Sequence, residues 1–247
     1  MLMKLLFRKL HTYIYMFSVL LLYLFFHPFF YYFSQKTTRY TVLNKLRKRW
    51  AKWSSALSGI FYRFEYEVPV DRKKTYVICP NHTSNLDVSW ATQIPQNDFS
   101  FMGKEELLQN PTTKLFFKTI DITVKRDSNI SAFRAFKRAS DYLKNGMTMI
   151  IFPEGKIAAI YPPQLQEFKI GPFRLAIEQQ VPVVPVTSFN TWKLLWDDGL
   201  QYGSRPGICD IYIHKPIETV GLKPADADAL RDEVFQIINR KLKEYEN

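Results

Sequence analysis

A histidine and an aspartate lie close together in the segment Asn81–Asp87, which reads NHTSNLD. An unperturbed imidazole titrates at about pH 6.5, so His82 can act as a general base at neutral pH. A carboxylate beside the ring can hold its tautomer and stabilise the imidazolium that forms, as in serine hydrolases. Their spacing does not place His82 and Asp87 on one helical face, so pairing requires a turn between them. The same residue types are also compatible with a helix cap that has no catalytic role.

The hydroxyl that His82 would activate is expected to belong to a substrate. The sequence contains no G-x-S-x-G segment, which is the pattern that presents a serine nucleophile in α/β hydrolases. A positioned general base typically contributes a factor of about 10²–10⁴ to the rate. These residues therefore predict a reaction in which His82 takes a proton from a bound substrate.

A second candidate site is the turn Phe152–Gly155, which closes the apolar run MTMIIF. Pro153 and Gly155 flank a charged residue and predict an irregular turn. Such a turn can bring Glu154 and nearby backbone N–H groups towards a ligand. The alternative is an exposed turn glutamate without a function.

Basic residues and a proline-containing segment complete the set. Lys104, Lys125, Arg126 and Lys169 lie in the body of the chain, and arginine suits bidentate binding of phosphate. Solvated surface charges are the alternative interpretation.

Segment 181–186 reads VPVVPV, and prolines at the start of and inside an apolar run predict an edge strand or an irregular one.

Strands and helices alternate from about residue 65 onward. Short apolar or β-branched runs predict strands at Thr75–Cys79, Phe99–Gly103, Ile122–Val124, Met147–Phe152, Val183–Phe189 and Ile208–His214. Helical patterns lie between them, at Val88–Thr92, Glu105–Gln109, Ser131–Lys144, Phe173–Gln179 and Ala225–Tyr245. This alternation predicts an α/β fold, with a mostly parallel or mixed sheet covered by helices. Residues 63–247 are expected to form this domain, and residues 1–62 a membrane-anchoring and interfacial segment.

The basic excess of the chain is concentrated beside an apolar N-terminal segment. The net charge is +11, yet no acidic residue precedes Glu65, and the later part of the chain is charge-balanced. A basic excess attracts nucleic acid or anionic lipid. Because the charges flank apolar sequence, and because no zinc-ligand spacing or nucleic-acid motif is present, membrane lipid is the expected partner and nucleic acid is not.

The stretch between Lys9 and Lys36 contains no charged residue. Tyr13–Phe33 is just long enough to span a bilayer as one helix, whereas the Pro28 ring favours a break or kink. A single span and a two-helix insertion into one leaflet are therefore both open. The segment is longer and more aromatic than a cleaved signal peptide, and we expect it to be retained.

A second N-terminal helix is predicted at Thr41–Ile60. Its apolar residues recur at helical spacing and form one stripe, while most of its lysines and arginines fall off that stripe. This pattern is typical of a helix in a membrane interface, with Trp50 and Trp53 at headgroup level. The alternative is an amphipathic helix packed on the globular body.

The order of these motifs resembles the glycerophospholipid acyltransferase superfamily, and within it the bacterial 1-acyl-glycerol-3-phosphate acyltransferases. The resemblance covers roughly residues 75–216 and rests on Asn-His-x-x-x-x-Asp, a downstream arginine, Phe-Pro-Glu-Gly and Val-Pro-x-Val-Pro-Val. It implies that a fatty acyl chain passes from an acyl carrier protein or coenzyme A thioester to the sn-2 hydroxyl of 1-acyl-glycerol-3-phosphate, the acceptor, giving phosphatidic acid. It also implies a chain at the inner membrane, with its catalytic domain facing the cytoplasm.

The resemblance assigns roles to individual residues. His82 would deprotonate the acceptor hydroxyl and Asp87 would orient His82. The substrate-binding positions would be Lys104, Arg126, Glu154, Gly155 and Lys156. The fourth motif, with Val181, Pro182, Val184 and Pro185, would serve the acyl donor or packing. No metal is expected, because the enzymes that the sequence resembles use none, and no cofactor is expected, because the thioester is a co-substrate.

Two departures from the family pattern concern the acceptor. Ile120 stands where similar sequences usually carry glycine, and Lys156 and Ile157 follow Gly155 where they usually carry threonine and often arginine. Lys156 could supply a phosphate-binding cation or signal a different headgroup. The alternative acceptors are therefore glycerol-3-phosphate, another lysophospholipid or an aminolipid hydroxyl. A non-catalytic membrane-surface binding protein and a fatty-acid-releasing hydrolase are more distant alternatives.

Overall fold

The computed structural model describes residues 2–71, 73–125, 128–196 and 199–246. Seven strands of these residues form one sheet in the order β1-β7-β6-β2-β5-β3-β4. They are β1 Ile60–Tyr66, β2 Val77–Pro80, β3 Phe99–Lys104, β4 Ile122–Val124, β5 Thr148–Ile151, β6 Val183–Ser188 and β7 Gly207–Ile213. Neighbouring strands are parallel except β6 and β7, which are antiparallel. The predicted α/β class with a mixed sheet is confirmed.

Helices cover both faces of the sheet. Those of the described residues are α1 Leu2–Ser34, α2 Tyr40–Leu57, α3 Asp87–Ala91, α4 Lys114–Lys118, α5 Asn129–Lys144, α6 Gly171–Gln179, α7 Thr191–Leu194, α8 Gly199–Tyr202 and α9 Ala227–Glu246. Helices α5, α6 and α9 bury their apolar residues in one cluster with β2 and β5. Residues of α1 and α3 pack against the opposite face, and α2 and α4 extend that layer. The predicted segment Glu105–Gln109 is a 3-10 turn over Glu105–Leu108.

Strand β1 lies where the sequence pattern predicted the end of a helix. Helix α2 ends at Leu57, and Gly59 follows with a φ of 69°, a left-handed conformation that glycine adopts without strain and that commonly terminates helices. A Cβ at Gly59 would also lie 3.0 Å from the Cβ of Pro206. Ile60 therefore begins β1 instead of closing the helix, and the expected boundary after residue 62 falls inside this strand.

Pro185 lies in a central strand, so the predicted edge position for this segment is wrong. Strand β6 has β2 on one side and β7 on the other. The carbonyl groups of Pro182 and Val186 accept hydrogen bonds from Val77 of β2 and from Asn81 just after it, so Pro185, one residue from Val186, directs its backbone towards β7. There its carbonyl accepts from the N–H of His214, and no bond to β2 is lost by the missing N–H.

Helix α1 continues through Pro28 without the predicted break. Packing holds the helix on both sides of the proline. Phe26 contacts Trp53 at a ring distance of 5.8 Å, and Phe30 contacts Trp50 and Phe116 at 5.7 and 5.1 Å. Since Pro28 itself lies on the exposed face, its ring displaces no buried contact. The two helices α1 and α2 therefore pack side by side.

The other face of α1 exposes a long apolar surface. Its exposed large side chains are Met3, Leu6, Phe7, Leu10, Tyr13, Ile14, Met16, Phe17, Leu20, Leu21, Leu24, Phe25, Phe29, Tyr31 and Tyr32. By length and composition α1 could cross a membrane, although buried helices of soluble proteins and signal sequences also meet that criterion. The helix is attached to the body near its start, where the carbonyl of Arg8 accepts a hydrogen bond from the N–H of Ser204.

Helix α2 is anchored to the domain by a buried ion pair. Arg47 Nη2 lies 2.7 Å from Asp121 Oδ2, and both side chains are at most 5% exposed. The guanidinium also lies among three phenylalanine rings, at 4.8 to 5.6 Å from their centroids. The apolar stripe predicted Arg47 to be an off-stripe charge, whereas the structure buries it. The packed interpretation therefore holds for this part of α2, while Trp53 and Leu57 remain exposed.

Candidate active site

The loop that carries His82 begins with a side chain that imitates strand pairing. Strand β2 ends at Pro80, and the next residue, Asn81, is fully buried. Its Oδ1 accepts from the N–H of Ser188 at 2.7 Å, and its Nδ2 donates to the carbonyl of Ser188 at 3.0 Å. The amide thereby extends the contact between β2 and β6 by one residue. It fixes the backbone from which His82 departs, at the carboxyl edge of the parallel strands where open α/β sheets place their sites.

His82 and Asp87 form a hydrogen-bonded pair. The Nδ1 of His82 lies 3.1 Å from the Oδ2 of Asp87, and the histidine side chain is 16% exposed while the aspartate is fully buried. The segment between them turns, because the N–H of Asp87 donates to the carbonyl of Ser84. With Nδ1 bonded to the carboxylate, Nε2 is the ring nitrogen that can accept a proton from a substrate.

Four further donors hold the carboxylate of Asp87. Its Oδ2 accepts from the backbone N–H groups of Thr83 and Ser84 at 2.7 and 2.8 Å. Its Oδ1 accepts from Trp90 Nε1 at 2.9 Å and from Thr191 Oγ1 at 2.8 Å. A buried carboxylate with this many donors is fixed in position. It can therefore stabilise an imidazolium on His82.

The backbone and the ring of His82 are held from the side of β5. Glu154 is buried, and its Oε1 accepts from the N–H of His82 at 2.6 Å while its Oε2 accepts from the N–H of Gln166 at 2.8 Å. The ring of Phe152 stacks on the imidazole, with centroids 4.1 Å apart. In this structure the Glu154 carboxylate therefore binds two backbone N–H groups and positions His82.

Burial raises the pKa of Glu154 to about 7, and its two backbone hydrogen bonds act in the opposite direction. Between about pH 4.5 and about pH 7 the Glu154 carboxyl group keeps its proton in the folded chain but loses it in the unfolded chain. The contribution of Glu154 to the free energy of unfolding therefore falls as the pH rises through this range. The total change is about 3 kcal/mol for a shift of this size.

The Glu154→Gln variant is expected to lower kcat while leaving KM for the acceptor nearly unchanged. A glutamine can accept only one of the two hydrogen bonds, so either the His82 or the Gln166 N–H loses its partner. Steady-state kinetics at saturating donor measure both constants. Chemical unfolding of both proteins between pH 4 and pH 8 provides the second measurement, because the variant should lack the fall in stability that Glu154 causes. A raised KM with unchanged kcat would instead assign Glu154 to acceptor binding.

The other predicted binding residues lie at the same edge of the sheet. Lys104 is the last residue of β3 and is exposed, as is Lys156 after the Phe152–Gly155 turn. Gly155 has a φ of 72° and lies against the side chain of Lys169. Arg126 lies outside the described residues. Since the carboxyl ends of β2, β3 and β5 meet at one edge, the sheet brings Lys104, Glu154 and His82 to the same side.

The fourth motif supports the site from within the sheet. Val184 and Pro185 belong to β6, where they pair with Ile78 and Cys79 of β2, while Val181 and Pro182 precede the strand. The whole of β6 is buried. Its place beside β2 means that it supports the strand before His82, which agrees with the packing alternative for this motif.

Thr191, which was not predicted from the sequence, joins the catalytic loop to the end of β6. Its hydroxyl donates to Asp87 and also contacts Thr83 Oγ1 and Ser188 Oγ at 3.0 and 2.8 Å. No local pattern marks this residue, because Thr191 lies 104 residues from Asp87.

Among the residues that the structure describes, no three His, Cys, Asp or Glu side chains are grouped as a metal site.

Proteins with similar sequences are named acyltransferases. The chain is 28% identical over 162 residues to the 1-acyl-sn-glycerol-3-phosphate acyltransferase alpha of Mus musculus, covering 64% of this chain and 55% of that protein. It is 26% identical over 196 residues to an uncharacterized acyltransferase of Schizosaccharomyces pombe, covering 78% and 70%. The match thus spans about half the length of the mouse relative and a larger share of the yeast protein.

A solved structure shares the fold. The crystal structure of the 1-acyl-sn-glycerophosphate acyltransferase from Thermotoga maritima superposes with a TM-score of 0.77 and 23% sequence identity, covering 96% of this chain and 95% of that chain. The family model described as Acyltransferase matches residues 62–188, just over half of the chain. The motif-based resemblance is thereby confirmed at the level of the family, and this chain belongs to the Acyltransferase family.

Proposed function

We propose that this chain transfers a fatty acyl group from a thioester to the sn-2 hydroxyl of 1-acyl-glycerol-3-phosphate, forming phosphatidic acid. The observation that carries the proposal is the His82–Asp87 pair, in which a buried carboxylate with four other donors holds a partly exposed imidazole. The proposed acceptor is the one for which the relatives are named, among them the mouse protein and the Thermotoga maritima enzyme.

The chemistry balances with one histidine and no covalent enzyme intermediate. Nε2 of His82 takes the proton from the acceptor hydroxyl as its oxygen bonds to the thioester carbonyl carbon. The tetrahedral intermediate collapses, and the carbon–sulfur bond breaks. The imidazolium, stabilised by Asp87, returns its proton to the departing thiolate. The products are an ester and a free thiol, and the histidine ends in its starting state.

The donor is proposed to be an acyl carrier protein or coenzyme A thioester. Both present the same reacting group, a thioester at the end of a pantetheine arm, so the transfer step is identical for the two. The co-substrate supplies the acyl group, and no cofactor or metal is required by the steps above.

The exposed apolar face of α1 supports a location at a membrane. Its aromatic and aliphatic side chains run from Met3 to Tyr32, and water does not stabilise a surface of that size. Exposed Lys45, Arg49 and Lys52 of the neighbouring α2 add positive charge, which anionic headgroups attract. Because α1 also packs along the domain, we propose that it lies in one leaflet and holds the site at the surface of the cytoplasmic membrane, with the domain in the cytoplasm.

A panel of acceptors tests the proposed activity. The full chain in detergent or liposomes is supplied with acyl-coenzyme A or acyl carrier protein thioester and with lysophosphatidic acid, glycerol-3-phosphate, a choline lysophospholipid or an aminolipid. We expect phosphatidic acid from lysophosphatidic acid with at least one donor, at a kcat/KM that exceeds the value for each other acceptor. Product from another acceptor alone would refute the acceptor assignment and keep the acyl transfer. Absence of acyl product from every pair would refute the proposed reaction.

A further inference from the structure

The side chain of Lys169 lies directly over the glycine of the Phe152–Gly155 turn. A Cβ built on Gly155 would lie 3.2 Å from Lys169 Cε and 3.3 Å from Lys169 Nζ, closer than most real Cβ contacts. Gly155 also has a φ of 72°, which disfavours any other residue. The glycine thus allows the ammonium group of Lys169 to approach the backbone of this turn.

Two backbone hydrogen bonds fix the segment that carries Lys169. The N–H of Lys169 donates to the carbonyl of Pro153 at 2.9 Å. Three residues earlier, the N–H of Gln166 donates to Glu154 Oε2 at 2.8 Å, and the other oxygen of this carboxylate accepts from the N–H of His82. One carboxylate therefore joins the Gln166–Lys169 segment to the catalytic histidine. These bonds fix the backbone at Lys169, while its side chain is exposed.

The chain lacks a cation where the family pattern often has one. Ile157 stands two residues after Gly155, at the position that similar sequences often fill with arginine, and it is partly buried. Lys156 is exposed beside it. Lys169 comes from a different segment and places its charge at Gly155, the residue after Glu154. Its charge therefore lies at the turn whose Glu154 carboxylate bonds the backbone of the catalytic loop.

We infer that Lys169 binds the phosphate group of the acceptor and so determines the preference for a phosphate-bearing lysolipid. This inference rests on the proposed function. In 1-acyl-glycerol-3-phosphate the reacting hydroxyl and the phosphate sit on adjacent carbons, so a cation that recognises the phosphate must lie close to the general base. Lysine acts as a point charge with three donors and suits a phosphate monoester.

The test compares Lys169→Gln with the charge-conserving Lys169→Arg and with the matched control Lys144→Gln. Lys144 is exposed at the end of α5, just before β5 starts, and so lies at the opposite edge of the sheet. Binding is measured in a His82→Ala background, by equilibrium titration with 1-acyl-glycerol-3-phosphate in detergent micelles, so that turnover is not needed. We expect Lys169→Gln to raise Kd by about ten-fold or more, Lys144→Gln to change it by less than about three-fold, and Lys169→Arg to restore most of the affinity. The thermal midpoint of each variant shows that the fold is intact.

The two proposals fail in different ways. If Lys169→Gln binds the phospholipid as tightly as its parent, or if Lys144→Gln weakens binding as much, the assignment of Lys169 is wrong. It is also wrong if Lys169→Gln weakens the binding of 1-acylglycerol, which has no phosphate, by the same factor as the binding of the phospholipid. If the protein with His82 intact forms no phosphatidic acid while Kd still depends on Lys169, the proposed reaction is refuted and the phosphate site is supported.

Discussion

The His82→Ala variant is expected to lose acyl transfer activity by a factor of about 10²–10⁴, which is the usual contribution of a general base. The structure leaves one histidine nitrogen for this role, because Nδ1 is bonded to Asp87. Asp87 retains four donors in the variant, so the loop should keep its shape. The measurement is kcat/KM with lysophosphatidic acid and a thioester donor.

His27→Ala is the matched control for this experiment. His27 lies on the exposed face of α1 and its ring contacts Tyr23 at 5.4 Å, so its removal deletes an imidazole outside the site. We expect activity within about two-fold of wild type, because surface substitutions of this kind change stability little. A His82→Ala protein with wild-type activity and an unchanged thermal midpoint would rule out the general-base mechanism.

The Arg47→Met variant is expected to reduce the free energy of unfolding by about 3–5 kcal/mol, since it leaves a buried carboxylate without its ionic partner. Burial already raises the pKa of Asp121, and Arg47 opposes that rise. Without Arg47 the pKa rises further and the native state favours a protonated Asp121. The loss of stability should therefore be smaller at pH 5 than at pH 8. Chemical unfolding in detergent at the two pH values measures this difference.

Arg49→Met provides the comparison on the same helix. Arg49 is exposed, and its replacement should change stability by no more than about 0.5 kcal/mol. Adding Asp121→Asn to Arg47→Met should recover part of the loss, because the amide oxygen can still accept from the N–H of Phe101. Equal effects of the two arginine variants would mean that the buried pair does not anchor α2.

The sheet was largely predictable because each strand is a short apolar run, and the spacing of its apolar residues and the turn residues that flank it are visible in the local sequence. Strand β1 was not, since Ile60 continues the helical spacing of the preceding stripe and the residue that interrupts it, Gly59, adds no apolar signal. The burial of Arg47 was equally hidden, because its partner Asp121 is distant in sequence and the pairing depends on how α2 meets β3.

The catalytic pair could be predicted from residue type and order, but its surroundings could not. Glu154 was expected to reach towards a ligand, whereas its carboxylate accepts backbone N–H groups of His82 and Gln166. The direction of a turn side chain depends on which unsatisfied donors lie nearby in the folded chain. The contact between Thr191 and Asp87 was equally unpredictable, since only the pairing of β6 with β2 brings the two residues together.

The bonds that attach the catalytic loop to the rest of the sheet close long stretches of chain. Asn81 meets Ser188 across 107 residues, and His82 meets Glu154 across 72. Loops of this length cost chain entropy to close, and non-local pairing slows folding. The loop can therefore take its active shape only after β2 has found β5 on one side and β6 on the other. Catalytic competence should appear late in folding, and a growing chain that has not yet emerged as far as Thr191 carries the His82 motif without an active site.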